Sequence, residues 1–583
     1  MKELRSLNKY LFKYKIQLLL GIIITITSRI FSLFAPRLIN KSLTKVENFI
    51  NQQNISIEEL KDELAINIGV IILASLISGF LTFLTRQTII NVSRYIEYDL
   101  KNEIYNHYQK LSMDFYKNNR TGDLMTRITE DVSKVRMYFG PALMYSITTC
   151  SLFVIVIASM LSLSVELALY TLLPLPILSI IIYKLSKEVN SRTTIIQKTL
   201  SSLSSFSQEA FSGISVIKSY NIERKIQNDF NFLSDKSKIK NLDLAKVQAW
   251  FFPLMILMIG LSNLLVIFIG GNKYINGQIE IGVLAEFILY VFMLTWPVAT
   301  VGWVTSIIQQ AEASQKRINL FLKKVPKIND GKLIPKKIEG SIKFKSVSYK
   351  YKETKIQALK NITFEINSGE TLGIIGDTGA GKSTILDLIC RLFDSDKGEI
   401  LIDKININKF SLKSLRNSIG YVTQNPFLFS ESILENIKFG NHNASLKEIS
   451  KAAKNAGIDK EIKKFKNGYN TILGERGITL SGGQKQRVSI ARALIKKPKI
   501  LLFDDCLSSL DADTEKKIQK NLSKFSNEIT TIIVSHNISS LRRTDKTIVI
   551  EDGKISQIGN HNELIKLEGY YKALFDKQVR EKI

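Results

Sequence analysis

Cysteine is almost absent. Cys150, Cys390 and Cys506 are scattered over 583 positions without metal-ligand spacing, which argues against a disulfide framework and against a zinc site. All three read as small apolar packing residues. Any arginine–aromatic cluster is missing too. Lys and Arg outnumber Asp and Glu by 80 to 53, a net charge of +27. The basic residues are dispersed, however, and no nucleic-acid partner is expected. The chain also lacks a small-residue cleavage site after its first apolar run, although Lys2, Arg5, Lys9, Lys13 and Lys15 precede that run. The run is too long for a signal peptide and reads as a retained first membrane helix with its N-terminus in the cytoplasm.

What is abundant is apolar sequence in the first half. Six stretches are long enough to cross about 30 Å of hydrocarbon as helices: Ile16–Leu38, Ala65–Ile90, Pro141–Leu163, Val165–Leu185, Trp250–Gly271 and Ile281–Ile308. Open sheets cannot serve, because lipid offers no partner for strand edges. The third and fourth stretches nearly touch at Ser164, and Asn272–Glu280 is a short turn. The connection between the first and second carries Glu47, Glu58, Glu59, Asp62 and Glu63. These three connections are placed outside. The long connections Asn91–Gly140 and Ser186–Ala249 are rich in Lys and Arg, so they are placed inside. Ile96, Leu100, Ile104, Tyr108 and Leu111 recur at helical spacing and predict a helical bundle continuing into the cytoplasm. Breaks fall at Asn118–Gly122 and at Ser212-Gly213.

Arg29, Arg37, Arg86 and Glu286 lie within or beside the apolar stretches. Ionisable groups at membrane depth mark pathways, so Arg29, Arg86 and Glu286 are candidates for a substrate cavity, whereas Arg37 can snorkel at a helix end. Phe292, Trp296 and Trp303 could line such a cavity, but helix packing is the default reading of their spacing. A polar segment, Gln309–Glu339, reads as helix end and linker. The expected domains are a membrane domain over 1–320, a linker over 321–340 and a soluble α/β domain over 341–583.

The soluble part carries a phosphate-loop motif, Gly376-Asp377-Thr378-Gly379-Ala380-Gly381-Lys382-Ser383-Thr384, between a short apolar strand, Thr371–Ile375, and a helix. The glycines let the backbone turn its N–H groups toward phosphate oxygens, and the helix N-terminus adds a favourable dipole. Lys382 would neutralise β/γ-phosphate charge and Ser383 would ligate Mg²⁺. A second apolar strand, Ile500–Phe503, delivers Asp504 and Asp505. An acid at that place is the usual Mg²⁺ partner of a phosphate loop, which gives the role to Asp504.

Between the two lies Leu480-Ser481-Gly482-Gly483-Gln484. With this pentapeptide the chain resembles the ATP-binding cassette (ABC) superfamily, and its first half resembles the six-helix exporter half-transporters that handle drugs or lipids. The resemblance covers nearly the whole chain. It implies a six-helix bundle with long cytoplasmic extensions fused to an α/β P-loop NTPase domain, in a multi-pass protein of the bacterial inner (plasma) membrane with a cytoplasmic ATP-binding domain. It also implies ATP and Mg²⁺ as cofactors. By resemblance, Tyr351 stacks on adenine, Gln424 senses γ-phosphate and Mg²⁺, and Glu475 belongs to a loop touching the membrane domain. Asp511 sits in the loop that crosses between cassettes, and His536 is a switch histidine. Two cassettes would face each other head to tail. Leu480–Gln484 of one would meet the ATP on the other, and closure would pull on elbows at Tyr116–Gly122 and Phe211–Ile217.

One position departs from the family. A glutamate normally follows the strand aspartate as the base that polarises water; here it is Asp505. Aspartate is one methylene shorter, which displaces the carboxylate by about 1.5 Å, and misplacement on that scale costs about a hundredfold in rate. The expectation is a site that binds ATP and hydrolyses it slowly, with Asp505, His536 and Gln424 as its catalytic groups. This fits one half of a heterodimer slightly better than a homodimer in which Asp505 suffices. The expected cargo is a hydrophobic or amphipathic small molecule handled among membrane lipids. The competing function is an ATP-gated regulatory or channel-like subunit, against which stands the lack of any regulatory insertion. An N-terminal peptidase domain, the mark of peptide-processing exporters, is not expected either.

Overall fold

A computed structural model describes residues 3–51, 56–352, 354–474, 477, 479–508, 510–523 and 528–580. The chain divides into two compact units. One holds Met1–Gln109 and Thr121–Lys324, the other Lys110–Arg120 and Val325–Ile583.

The first unit is helical. Among the described residues, six helices are long and apolar enough to cross a membrane: Lys15–Ile50, Ile57–Lys110, Thr121–Leu163, Val165–Ser212, Glu223–Ile275 and Ile281–Leu322. Each exceeds its apolar stretch, so the bundle carries long helical extensions. Ile96, Leu100, Ile104 and Tyr108 form a buried stripe on the second helix. At the tight turn between the third and fourth, the Ser164 hydroxyl accepts from the Leu167 N–H at 3.4 Å and caps the fourth, which satisfies an orphan donor.

The described part of the connection between the first and second spanning stretches is largely helical. The first helix runs to Ile50, and the second starts at Ile57 with a Ser56–Glu59 capping box. Lys41 and Lys45 flank Glu63 at 2.9 and 3.0 Å, so acid that reads as a loop in sequence is a charged helical face. Two further expectations are corrected. Cys150 is exposed on the third helix, whereas Cys390 and Cys506 are buried. Glu286 is 2% exposed and locked between the Asn40 amide, at 2.5 Å, and the Tyr290 hydroxyl. It is a satisfied core acid, not a cavity group.

The second unit holds two sheets. Its strands are β1 (Ile342–Lys350), β2 (Gln357–Ile366), β3 (Thr371–Gly376), β4 (Lys397–Ile402), β5 (Ile405–Asn406), β6 (Ile419–Val422), β7 (Ile500–Asp504), β8 (Thr530–Val534), β9 (Lys546–Glu551) and β10 (Lys554–Gly559). An antiparallel sheet has the order β2-β1-β4-β5. A larger one has the order β10-β9-β3-β8-β7-β6 and is parallel except for β10. Successive residues of the parallel strands point to opposite faces. Ile374, Leu502 and Ile532 enter one core cluster, while Ile375, Phe503 and Ile533 enter the other. Both faces are covered, which is why these strands read as unbroken apolar runs. The arrangement fixes where ligand chemistry can occur: the C-terminal ends of β3, β7 and β8 converge, and open parallel sheets bind ligands at such ends.

Candidate functional site

β3 ends in the phosphate loop, and two of its glycines are obligatory. A Cβ on Gly376 would lie 2.1 Å from the Ile550 carbonyl oxygen, and one on Gly381 would lie 2.3 Å from that of Ala358. Gly381 also has φ +102° as it opens the helix Lys382–Ile389, a conformation costly for any residue with a side chain. Lys382 is buried, and its ammonium donates to the Gly376 and Asp377 carbonyls at 2.8 Å each. Burial pushes its pKa down, against the opposing pull of Asp505, Asp377 and Asp504.

β7 brings in the acids. Ser383 donates to Asp504 at 2.8 Å. Burial raises the Asp504 carboxyl, and the Ser383 bond offsets part of that. Asp505 follows in the left-handed region, φ +44°. Its Oδ2 accepts from the Gln424 amide at 3.3 Å and lies 3.9 Å from His536 Nε2. Its Oδ1 is buried and has no hydrogen-bond partner. Gln424 itself is held by Gln486, whose side-chain amide donates to the Gln424 carbonyl at 2.5 Å.

These groups line one cavity of about 570 Å³, with Tyr351, Thr378, Gly379, Gly381, Lys382, Ser383, Thr384, Gln424, Asp504, Asp505 and His536 on its walls. Gly376, Asp377 and Ala380 shape the loop beneath. Tyr351 is anchored by its hydroxyl to that of Thr384 at 3.1 Å. The donors Ser383, Asp504 and Gln424 are oxygen groups, few in number, and suit Mg²⁺, which takes only a few protein ligands beside phosphate and water.

The pentapeptide is elsewhere. Ser481 caps the helix Gly482–Leu494 in a reciprocal box with Gln484. Gln484 donates to Glu461 at 2.9 Å, and Arg487 pairs with the same carboxylate. Leu480 is buried, and the Gly483 carbonyl accepts from Arg487 at 3.2 Å. Asp511 is exposed, accepting from the Thr514 N–H at 2.9 Å. Neither Leu480–Gln484 nor Asp511 lines the cavity of its own chain. Glu475 lies outside the described residues.

Further residues reach the site, one of them from the expected elbow Tyr116–Gly122. Lys117, on the short helix Met113–Asn118, holds its ammonium 4.9 Å from the Tyr351 ring centre and 4.6 Å from that of Phe393. Asp387, one helical turn past the phosphate loop, accepts from Tyr421 at 3.3 Å and is pushed up to about 6 by burial. The helix Tyr570–Arg580 reaches the site twice. Tyr570 donates to Asp377 at 3.1 Å, and the Gln578 amide donates to the His536 carbonyl at 2.8 Å.

Comparison with known proteins agrees with this fold. Residues 16–298 match the model of the ABC transporter transmembrane region, and residues 359–508 match the ABC transporter model. The multidrug resistance-like ATP-binding protein MdlA of Buchnera aphidicola (subspecies Schizaphis graminum) is 38% identical over 88% of this chain and 88% of its own. MdlA of Escherichia coli is 34% identical over 88% and 87%. A solved bacterial Atm1-family ABC exporter with ATP bound has the same fold, with a TM-score of 0.82 and 23% identity over 97% of this chain and 98% of that one.

Proposed function

The chain belongs to the ABC transporter family, as a multi-pass membrane protein with membrane region and ATP-binding cassette in one polypeptide, and on that premise we propose that it is half of a dimeric exporter that moves a hydrophobic or amphipathic small molecule out of the bacterial cytoplasm or inner membrane at the expense of ATP. The observation that carries this reading is the separation within one chain of the phosphate-loop cavity from Leu480–Gln484. A cavity holding only one side of the family's ATP site calls for a second cassette to supply the other.

In that role Tyr351 stacks on the base, and residues 376–384 receive the phosphates. Ser383, Asp504 and Gln424 hold Mg²⁺, which supplies charge neutralisation at the phosphate oxygens. Asp505 is placed to orient the attacking water, supported by His536. Its short side chain supports slow hydrolysis at this site. An intact pentapeptide beside a weakened base favours a partner chain of different sequence, whose own site Leu480–Gln484 would complete. The relatives' description as multidrug resistance-like proteins supports a lipophilic cargo.

The test is ATP–Mg²⁺ binding by the full-length protein in lipid nanodiscs, paired with export from inverted vesicles. Lys382→Ala removes the ammonium that would face the phosphates. It is expected to weaken ATP binding by at least about tenfold and to abolish export. Export that survives Lys382→Ala at the wild-type rate would overturn the proposal.

A further inference from the structure

Charges in the membrane-spanning stretches are few, and several have partners. Glu166 meets Lys273 at 2.6 Å, Glu286 is locked by Asn40 and Tyr290, and Arg37 donates to Ser159 at 3.1 Å. Two other cations, Arg29 and Arg86, share one cavity. The Arg29 guanidinium makes one hydrogen bond, to the Thr82 hydroxyl at 3.2 Å, and its Nε is buried without a partner. Arg86 is exposed and begins a π-helical turn (Arg86–Ile90), and its guanidinium makes no hydrogen bond or ion pair among the described residues.

Both arginines line the same cavity, of about 480 Å³, between the first, second, third and sixth spanning helices. Thr82, Thr148 and Thr149 offer it hydroxyls, and Phe292 and Trp296 form an apolar wall. Phe292 and Trp296 are 57% and 65% exposed, so the helices of their own chain do not pack them away. No carboxylate lines the cavity among the described residues. A cation at this depth without a counter-charge is costly, and a guanidinium repays that cost best with an oxyanion held in its fork.

We propose that this cavity binds an amphiphile with an anionic head: a sulfate, sulfonate, phosphate or carboxylate seated between Arg29 and Arg86, with its apolar body along Phe292 and Trp296. The inference rests on the exporter reading above and narrows its cargo. A lipophilic cation, which the same two guanidinium groups repel, is a poor ligand. Neutral lipophiles bind only through the apolar wall.

The test uses the full-length protein in phosphatidylcholine nanodiscs with Trp250→Phe and Trp303→Phe, which leaves Trp296 as the reporter among the three tryptophans. Three brominated amphiphiles of one chain length serve as quenchers: an alkyl sulfate, the parent alcohol and the matching trimethylammonium compound. The sulfate is expected to quench saturably, at a mole fraction at least about tenfold below the alcohol, and the ammonium compound least well. Arg29→Gln with Arg86→Gln moves the sulfate curve onto that of the alcohol, while Arg29→Lys keeps most of the preference. Coincident sulfate and alcohol curves in the reporter protein would overturn the proposal. So would a preference for the ammonium compound, or a sulfate preference surviving in the double variant. ATP–Mg²⁺ binding on the same nanodiscs shows that each variant is folded. Its loss in the unsubstituted protein would count against the exporter reading, not against the cavity.

Discussion

Replacing Asp505 by glutamate tests the chemistry of the ATP site most directly. In the structure the Asp505 Oδ2 is 3.3 Å from the Gln424 amide and 3.9 Å from His536 Nε2, and Oδ1 has no partner. Asp505→Glu inserts one methylene and advances the carboxylate by about 1.5 Å. A misplacement of about 1 Å at a reacting centre costs about a hundredfold, equivalent to about 2.7 kcal/mol of barrier. The expected gain is therefore ten- to a hundredfold in kcat, roughly, with KM for ATP within about twofold, because the substitution touches the water and not the nucleotide. Phosphate release from full-length protein in nanodiscs, at saturating ATP–Mg²⁺, reads both constants. The reasoning fails if Asp505→Glu is no faster than the parent. It fails equally if the parent turns over at about 10 per second, an ordinary enzyme rate, and Asp505→Ala abolishes that activity.

Two further substitutions probe the surroundings. Burial pushes the Asp387 carboxyl up to about 6, above its value in the unfolded chain. The folded state then binds the extra proton, so stability declines as pH climbs from about 4 toward about 6, and the full penalty, on the order of 2–3 kcal/mol, applies above that. Asp387→Asn should raise the thermal unfolding midpoint at pH near 7.5 and leave it unchanged near pH 4, and an equal shift at both would refute the assignment. Glu461→Ala strips the carboxylate from Arg487, which is 10% exposed, and frees Gln484. We expect a loss of about 1.5–3 kcal/mol and reduced turnover, with ATP affinity of the chain's own cavity unaltered; unaltered turnover would sink the idea that this pair holds Leu480–Gln484 in place.

The phosphate loop could be found from sequence because its chemistry fixes residue type and spacing together. Gly376 and Gly381 are demanded by backbone approach, and Lys382 and Ser383 follow at set positions. The membrane helices were legible for a related reason, since lipid imposes length and apolarity at once. What escaped depends on contacts between distant segments. Nothing in Tyr570 or Gln578 announces that they grip Asp377 and His536, and nothing around Lys117 points to the ring of Tyr351. The acidic stretch before the second spanning helix reads as a loop, because only the structure sets Lys41 and Lys45 against Glu63. Phe292 and Trp296 were ambiguous in sequence, because helical spacing alone does not say whether the chain's own helices cover them; here they do not.

The helix Tyr570–Arg580 holds two loops of the nucleotide cavity from behind, and it follows every strand of both sheets in order of synthesis. A nascent cassette therefore has every strand in hand before its grip on ATP is shaped. Polypeptides that stop short of this helix would lose the buried Tyr571 from the second core cluster together with both holds on the triphosphate cradle.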